Sequence, residues 1–221
     1  MKSPSVMQVR RVIERLARDG SIVARSDGTR HNIFPVAVSL AEGESLRKWV
    51  CREGAVHTIE IGLGYGVSAL HVCEGLIMNG NPGARHVVLD PNQLRRFSDC
   101  GLQVLEDAGV RQFVEHYAEL SEIALPQFLK EGRSFDLGFV DGNHRFDGVF
   151  LDLFYLGRLV RKGGILILDD YNLPGVRRAV SFFVSNLDWK IEDTIDDYAI
   201  VLRTARQADE RDFRYFVEFG G

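Results

Sequence analysis

Thr58-Ile59-Glu60-Ile61-Gly62-Leu63-Gly64-Tyr65-Gly66-Val67-Ser68-Ala69-Leu70 is the stretch around which the chain is read. A short β-type run ends in an acid, three glycines follow at alternate positions, and a helical pattern then begins. Glycine lets the backbone turn sharply and approach a ligand with no Cβ in the way. A helix starting at that point aims unpaired N–H groups and its positive dipole end into the turn. The stretch is a strand–loop–helix cradle for a small ligand that carries an anionic group.

Downstream of the cradle, strands and helices alternate. A helix over residues 67–78 is broken by Asn79-Gly80-Asn81-Pro82-Gly83, and a second strand over 86–90 again ends in an acid, Asp90. A helix over 93–108 stops at Gly109, and a third strand covers 111–116. Residues 121–130 form a helix interrupted early by Pro126; a fourth strand, 135–140, ends at Asp141 and precedes a helix from 146 to 160. Lys162-Gly163-Gly164 turns into a fifth strand over 165–168, which ends at Asp169-Asp170, and 174–187 is helical. Strands over 189–195 and 198–203 are joined by a tight turn at Asp196-Asp197, and so run antiparallel.

This order predicts an α/β fold: a Rossmann-like, doubly wound, mostly parallel seven-stranded sheet covered on both faces, with an antiparallel last strand. Ligands of such sheets sit outside the carboxyl ends of the strands. Glu60, Asp90, Asp141, Asp169 and Asp170 all fall at strand carboxyl ends, so acids from distant positions are expected on one rim.

Upstream, Ser3-Pro4 provides an N-cap and first-turn pair for a helix carrying Val6, Val9, Ile13 and Leu16, which Asp19-Gly20 stops. Residues 25–35 read as a loop with turn chemistry at Asp27-Gly28. Ser39-Leu40-Ala41-Glu42 is a capping box that launches a helix through Leu46, Trp49 and Val50. Residues 1–50 are thus expected to be an extra N-terminal helical segment contributing to a substrate site or dimer contact, and 51–221 a single globular ligand-binding domain. The first helix and an aromatic tail, with Phe213, Tyr215, Val217 and Phe219 in alternation, offer surfaces for a homodimer. The tail has three readings: a strand, an interface segment, or a segment docked on its own domain.

Composition excludes several classes. At 221 residues and 45% apolar content the chain can bury a substantial core. Its net charge of -4 gives no global basic field to recruit nucleic acid or an anionic membrane. Arg10, Arg11, Arg15 and Arg18 cluster locally, as the solvated face of a helix does. Cys51, Cys73 and Cys100 are scattered and form no CxxC pair, which fits reduced thiols in the cytoplasm rather than a disulfide or zinc framework. The N-terminus has no apolar signal-type region, and runs such as Ile165-Leu166-Ile167-Leu168 are too short to span a bilayer. A soluble cytoplasmic protein is expected.

Two cofactor classes use the cradle's geometry. Nicotinamide dinucleotides favour G-x-G-x-x-G, and here Val67 stands in the place of the third glycine. The actual spacing is G-x-G-x-G behind an acid, which suits a cationic cofactor better than a pyrophosphate. In these residues the chain resembles the class I methyltransferases that use S-adenosylmethionine. The resemblance implies that Glu60, Gly62, Gly64 and Gly66 form the loop around the methionine portion, with Ser68 at the cofactor carboxylate. It also implies that Asp90 takes the ribose hydroxyls and that Ser121 lies on the adenine side.

Phe139-Val140-Asp141-Gly142-Asn143-His144 and Gly163-Gly164-Ile165-Leu166-Ile167-Leu168-Asp169-Asp170-Tyr171 are similar to the metal-dependent small-molecule O-methyltransferases, both the catechol type and the sugar and macrolide type. That similarity implies a divalent cation, magnesium, on Asp141, Asp169 and Asp170, with His144 as general base and Asp141 beside it in the catalytic set. A cation lowers the pKa of a bound hydroxyl and orients it for attack. The catechol type has Asp-Asn where this chain has Asp169-Asp170. The structural alternatives are loop acids at the helix that begins near Pro174, and a capping role for His144. His31, His57, His71, His86 and His116 lack ligand spacing and are read as structural or solvated.

The function expected is transfer of a methyl group to a hydroxyl of a small molecule. Its rivals are an N- or nucleic-acid methyltransferase, a non-catalytic cofactor-binding protein and, remotely, an NAD-dependent oxidoreductase.

Overall fold

A computed structural model describes residues 5–219. Helix α1, Val6–Asp19, buries Val9, Val12, Ile13 and Leu16 along one stripe. It ends where Gly20 adopts a left-handed conformation and returns its N–H to the Leu16 carbonyl. Ser5 occupies the N-cap position, and the expected Ser3-Pro4 cap lies outside the described residues. The segment expected to be a loop contains a small hairpin instead: β1, Ser21–Val23, pairs antiparallel with β2, Arg30–Asn32. Asp27 makes its turn by accepting the Thr29 N–H. So short a ladder carries too little alternation to show in sequence. Helix α2, Leu40–Arg52, starts where the Ser39 hydroxyl accepts the Glu42 N–H at 3.1 Å, one half of the expected capping box.

Strand β3, His57–Ile61, leads into α3, Val67–Asn79, and β4, Arg85–Leu89, follows. Every residue of α3 from Val67 to Leu76 is buried. The single helix expected over 93–108 is two helices, α4, Gln93–Phe97, and α5, Cys100–Asp107. Ser98 and Asp99, both left-handed, break it. A 3₁₀ turn, Arg111–Phe113, occupies the first half of the expected third strand and leaves β5 as Val114–Tyr117.

The remaining elements are α6, Ser121–Lys130; β6, Phe135–Val140; α7, Phe146–Leu159; β7, Val160–Leu168; α8, Pro174–Asn186; β8, Lys190–Ile195; and β9, Ala199–Arg203. Pro126 does not interrupt α6: it forfeits one backbone hydrogen bond, while Ala124, Leu125 and Phe128 stay buried around it. The turn expected at Lys162-Gly163-Gly164 is a bulge within β7. Register against β6 jumps from Phe135↔Val160 to Leu137↔Ile165, and Gly163 takes a φ of 69° there.

One sheet of seven strands has the order β5-β4-β3-β6-β7-β9-β8. Pairings β3/β4, β4/β5 and β6/β7 are parallel; β9 runs antiparallel to both β7 and β8. The Rossmann-like sheet with an antiparallel last strand is therefore present as expected. The described residues form two compact units, divided between Leu120 and Ser121. In the first, α2 and α3 pack closely because Gly43 has no side chain: a Cβ there would collide with the His71 ring. In the second, α7 packs against both α6 and α8. The aromatic tail forms no strand. Asn186 holds Val217 by both its N–H and its carbonyl, at 2.8 and 2.9 Å, and Phe219 stacks edge-on against Phe182. Among the described residues no helix is long and apolar enough to cross a membrane.

Candidate active site

The first unit carries the glycine loop. Gly62 donates to the Leu89 carbonyl at 2.9 Å, and Gly66 closes a turn on Leu63 at 2.7 Å. Gly66 sits at the N-cap of α3 with φ 78°, and a Cβ on it would lie 2.8 Å from Val104 Cγ2 and 2.9 Å from the Gly101 carbonyl. Both backbone sign and space demand glycine. At Gly64 the neighbour is Val36, whose Cγ1 lies 3.3 Å from the place a Cβ would take, so the segment before α2 lies against the loop.

Glu60 and Ser68, expected around the methionine portion, face each other across this loop. Both are buried, and the Ser68 hydroxyl donates to Glu60 Oε1. Oε2 of the same carboxylate lies 2.7 Å from His86 Nε2, and His86 Nδ1 lies 2.9 Å from Thr58 Oγ1. Glu60 is thereby an internal brace joining the end of β3, the start of α3 and the start of β4. His86 belongs to this chain of contacts. The available signal was its alternation with Asp90 in an otherwise apolar strand, which places 86, 88 and 90 on one side.

Asp90 is 3% exposed and follows β4 directly. Its Oδ2 accepts from Leu63 N–H at 3.2 Å, Gly64 N–H at 3.0 Å and Gln93 Nε2 at 2.8 Å, while Oδ1 accepts from Asn92 N–H at 2.7 Å. The expected ribose acid thus also ties down the glycine loop.

The second unit gathers the other candidates. Asp141 follows β6, His144 lies in the loop before α7, and Asp170 follows β7. One ligand atom from each lies within 4.8 Å of the other two. His144 Nδ1 lies 2.7 Å from Asp170 Oδ2, and its Nε2 lies 3.3 Å from Asp141 Oδ1. A left-handed φ of 54° at Asp170 swings that carboxylate away from the strand direction. Asp169, expected to share the cation, is not in this trio; its Oδ1 accepts the Asp170 N–H at 2.7 Å. The hydrogen bond to Asp141 raises the His144 pKa, partial burial opposes it, and the charges of Asp170, Asp141 and Asp169 add to the rise. The trio offers two carboxylates and an imidazole, a donor set that suits a divalent cation.

Ser121, expected on the adenine side, opens α6 and hydrogen-bonds Asp152 of α7. Asp152 is buried, its Oδ2 has no hydrogen-bond partner, and burial pushes its pKa up to about 7. Nothing in the apolar periodicity of α7 singled it out.

These halves match known proteins. Residues 59–171 match the family model described as "Methyltransferase domain". No curated protein sequence gives a significant match. Among solved structures, an O-methyltransferase from Bacillus cereus in complex with SAH has a TM-score of 0.69 and 20% identity over 91% of this chain and 92% of its own. TomG, an O-methyltransferase of Streptomyces achromogenes involved in tomaymycin synthesis and solved with SAM, gives 0.67 and 21% over 93% and 92%. At such identities the likeness is one of fold, while the family match spans more than half of the sequence, from β3 past the end of β7. The chain belongs to the methyltransferase-domain family.

Proposed function

We propose that this protein is an S-adenosylmethionine-dependent O-methyltransferase acting on a hydroxyl of a small molecule. The observation that carries the reading is the Asp141–His144–Asp170 trio in a chain of the methyltransferase family. Amine acceptors are nucleophilic without help, whereas a hydroxyl needs a group to take its proton. Two strand-end carboxylates around an imidazole supply such a group.

In this reading the glycine loop holds the donor. Glu60 and Ser68 fix the start of α3, Asp90 takes the ribose hydroxyls, and Ser121 stands on the adenine side. Asp141 and Asp170, with Asp169 alongside, would hold a divalent cation, magnesium, which would supply Lewis acidity toward the acceptor hydroxyl. His144 takes the hydroxyl proton, assistance typically worth about 10²–10⁴-fold in rate. Residues 1–50 contribute to acceptor recognition or a homodimer contact; the approach of Val36 to Gly64 supports the first role. Free cysteines and the net charge of -4 support a cytoplasmic protein with no nucleic-acid or membrane partner.

The test is methyl transfer from labelled S-adenosylmethionine to a panel of hydroxylated aromatics, sugars and polyketides, with magnesium or with EDTA. Transfer that needs the cation and is lost in His144→Ala with cofactor binding intact supports the reading. Cation-independent transfer to an amine or nucleic acid would replace it, and binding without transfer to any class would leave a cofactor-binding protein.

A further inference from the structure

Gln93, the first residue of α4, is 2% exposed. Its Nε2 lies 2.8 Å from the Gly64 carbonyl and 2.8 Å from Asp90 Oδ2. Both partners accept and neither donates, so the orientation of the amide is settled: a flip would set Oε1 against two acceptors. The consequence appears at the other end of the group. Oε1 is buried with no hydrogen-bond partner, pressed against Gly101, where a Cβ would fall 2.6 Å from it. An amide oxygen buried without a donor is destabilising, and an apolar side chain of the same length would fill this space without that penalty. Packing alone does not account for an amide here. What it adds is the two-pronged donation to Gly64 and Asp90.

That donation has a directional effect. Oδ2 of Asp90 takes three donors, Leu63 N–H, Gly64 N–H and Gln93 Nε2, whereas Oδ1 takes the Asn92 N–H. A carboxylate oxygen accepts about two hydrogen bonds in comfort, so the remaining capacity is on Oδ1. The Gln93 main chain is itself held, its carbonyl accepting the Asp99 N–H at 2.8 Å where the chain breaks between α4 and α5.

We propose that Gln93 is a positioning residue for the methyl donor: it commits one oxygen of Asp90 to the glycine loop and so presents the other to the vicinal hydroxyls of the donor's ribose. This rests on the reading of Asp90 as the ribose acid.

The experiment is calorimetric binding of S-adenosylhomocysteine and of its 2′,3′-dideoxyribose analogue to the wild type, Gln93→Met and Gln93→Glu. In the wild type the hydroxyls are expected to strengthen binding about 10- to 100-fold, the range of hydrogen bonds to a charged group. Gln93→Met keeps the volume, removes the donor and relieves the orphaned oxygen; it should cut that ratio to about threefold or less while leaving binding of the dideoxy analogue within about threefold of wild type. Gln93→Glu, which sets a carboxylate against Asp90, should do the same and serves if the first variant does not fold. A general loss of fold would weaken both ligands alike and leave the ratio standing. If the wild type discriminates and both folded variants retain the full ratio, the role of Gln93 is overturned. If the wild type binds the two ligands equally, the ribose assignment of Asp90 fails, and the role of Gln93 with it.

Discussion

Asp90 Oδ2 lies 3.0 Å from the backbone N–H of Gly64, so the acid at the end of β4 latches the glycine loop at the end of β3. The same oxygen accepts from Leu63 N–H, and these main-chain donors point at Asp90 because Gly62 and Gly64 turn the chain through positive φ. An acid in this place does two jobs, shaping the loop and, in the proposed function, receiving a ribose.

Asp90→Ala should therefore lower stability as well as affinity. Losing the acceptor for the Leu63, Gly64 and Asn92 N–H groups and for the Gln93 amide is expected to destabilise by several kcal/mol, at about 1–3 kcal/mol for each orphaned group with partial relief from water. S-adenosylhomocysteine binding should fall by about 10- to 100-fold. Denaturant melts and calorimetry read the two effects separately. Unchanged binding in a folded variant would remove the ribose role and leave the latch.

Glu60 and His86 make a fully buried pair, each with 0% side-chain exposure. Removing one partner strands a buried polar or charged group, so His86→Leu should destabilise by about 3–5 kcal/mol. Replacing both, as Glu60→Leu/His86→Leu, should cost clearly less than the sum of the single changes, because no uncompensated group is left. A double-mutant cycle in urea gives the coupling directly. Additive single changes would mean that the two residues act independently.

Asp152 predicts a pH dependence. Its folded pKa, about 7, stands above the ordinary 3.8 because burial penalises the charged form; the hydrogen bond from Ser121 works against this, and the charge of Glu122 adds to it. The native state holds the proton more tightly than the unfolded chain. The stability this group contributes is complete below about pH 4 and is lost as pH rises through about 7. Asp152→Asn keeps the size and removes the ionisation, so between pH 5 and pH 9 it should gain on the wild type by an amount on the order of 2–4 kcal/mol. Chemical denaturation at the two pH values measures it, and a difference that stays flat with pH would contradict the buried, protonated carboxyl.

How far all this was legible depends on the range of the contact involved. Local signals were readable: the glycine spacing, the glycine that stops α1 and the acids at strand ends. The break at Ser98-Asp99 was not, because neither residue is a helix breaker of note; the return of α5 onto Gly66 and Gln93 is a tertiary demand. Nor was the bulge in β7, which only pairing with β6 reveals. In the site, alternation says that Thr58 and Glu60 share a face, but meeting His86 depends on the parallel register Thr58↔His86. The Asp169/Asp170 pair could be seen in sequence. Which of the two turns toward His144 depends on one backbone angle.

The Asn186 amide is one of two side chains that hydrogen-bond the tail. Asn186 mimics a strand partner for Val217, and Arg178 donates to the Phe219 carbonyl at 2.9 Å. Asn186→Ala should release the segment without unfolding the domain. Local opening costs only the contacts of the segment, so proteolysis within residues 205–219 should speed up by about tenfold, the effect of losing two hydrogen bonds of ordinary net strength. Limited digestion followed by mass spectrometry reads the rate. Cleavage no faster than in the wild type would mean that the ring contacts of Phe219, not the amide, hold the tail.

The acid cluster gives the sharpest test of which groups would meet a cation. Asp141 and Asp170 reach His144 from opposite sides, and Asp169 instead supports the backbone of Asp170. Asp141→Ala and Asp170→Ala should each abolish measurable Mn²⁺ binding, followed by electron paramagnetic resonance with Mg²⁺ as competitor. Asp169→Ala removes a group that orients a ligand, and such changes cost about 10–100-fold in metal affinity. The ordering matters more than the absolute constants. If Asp169→Ala abolishes binding as completely as Asp141→Ala, Asp169 is itself a ligand. If none of the three changes matters, the trio is a carboxylate–imidazole cluster with no cation to hold, and proton removal from the acceptor falls to His144 alone.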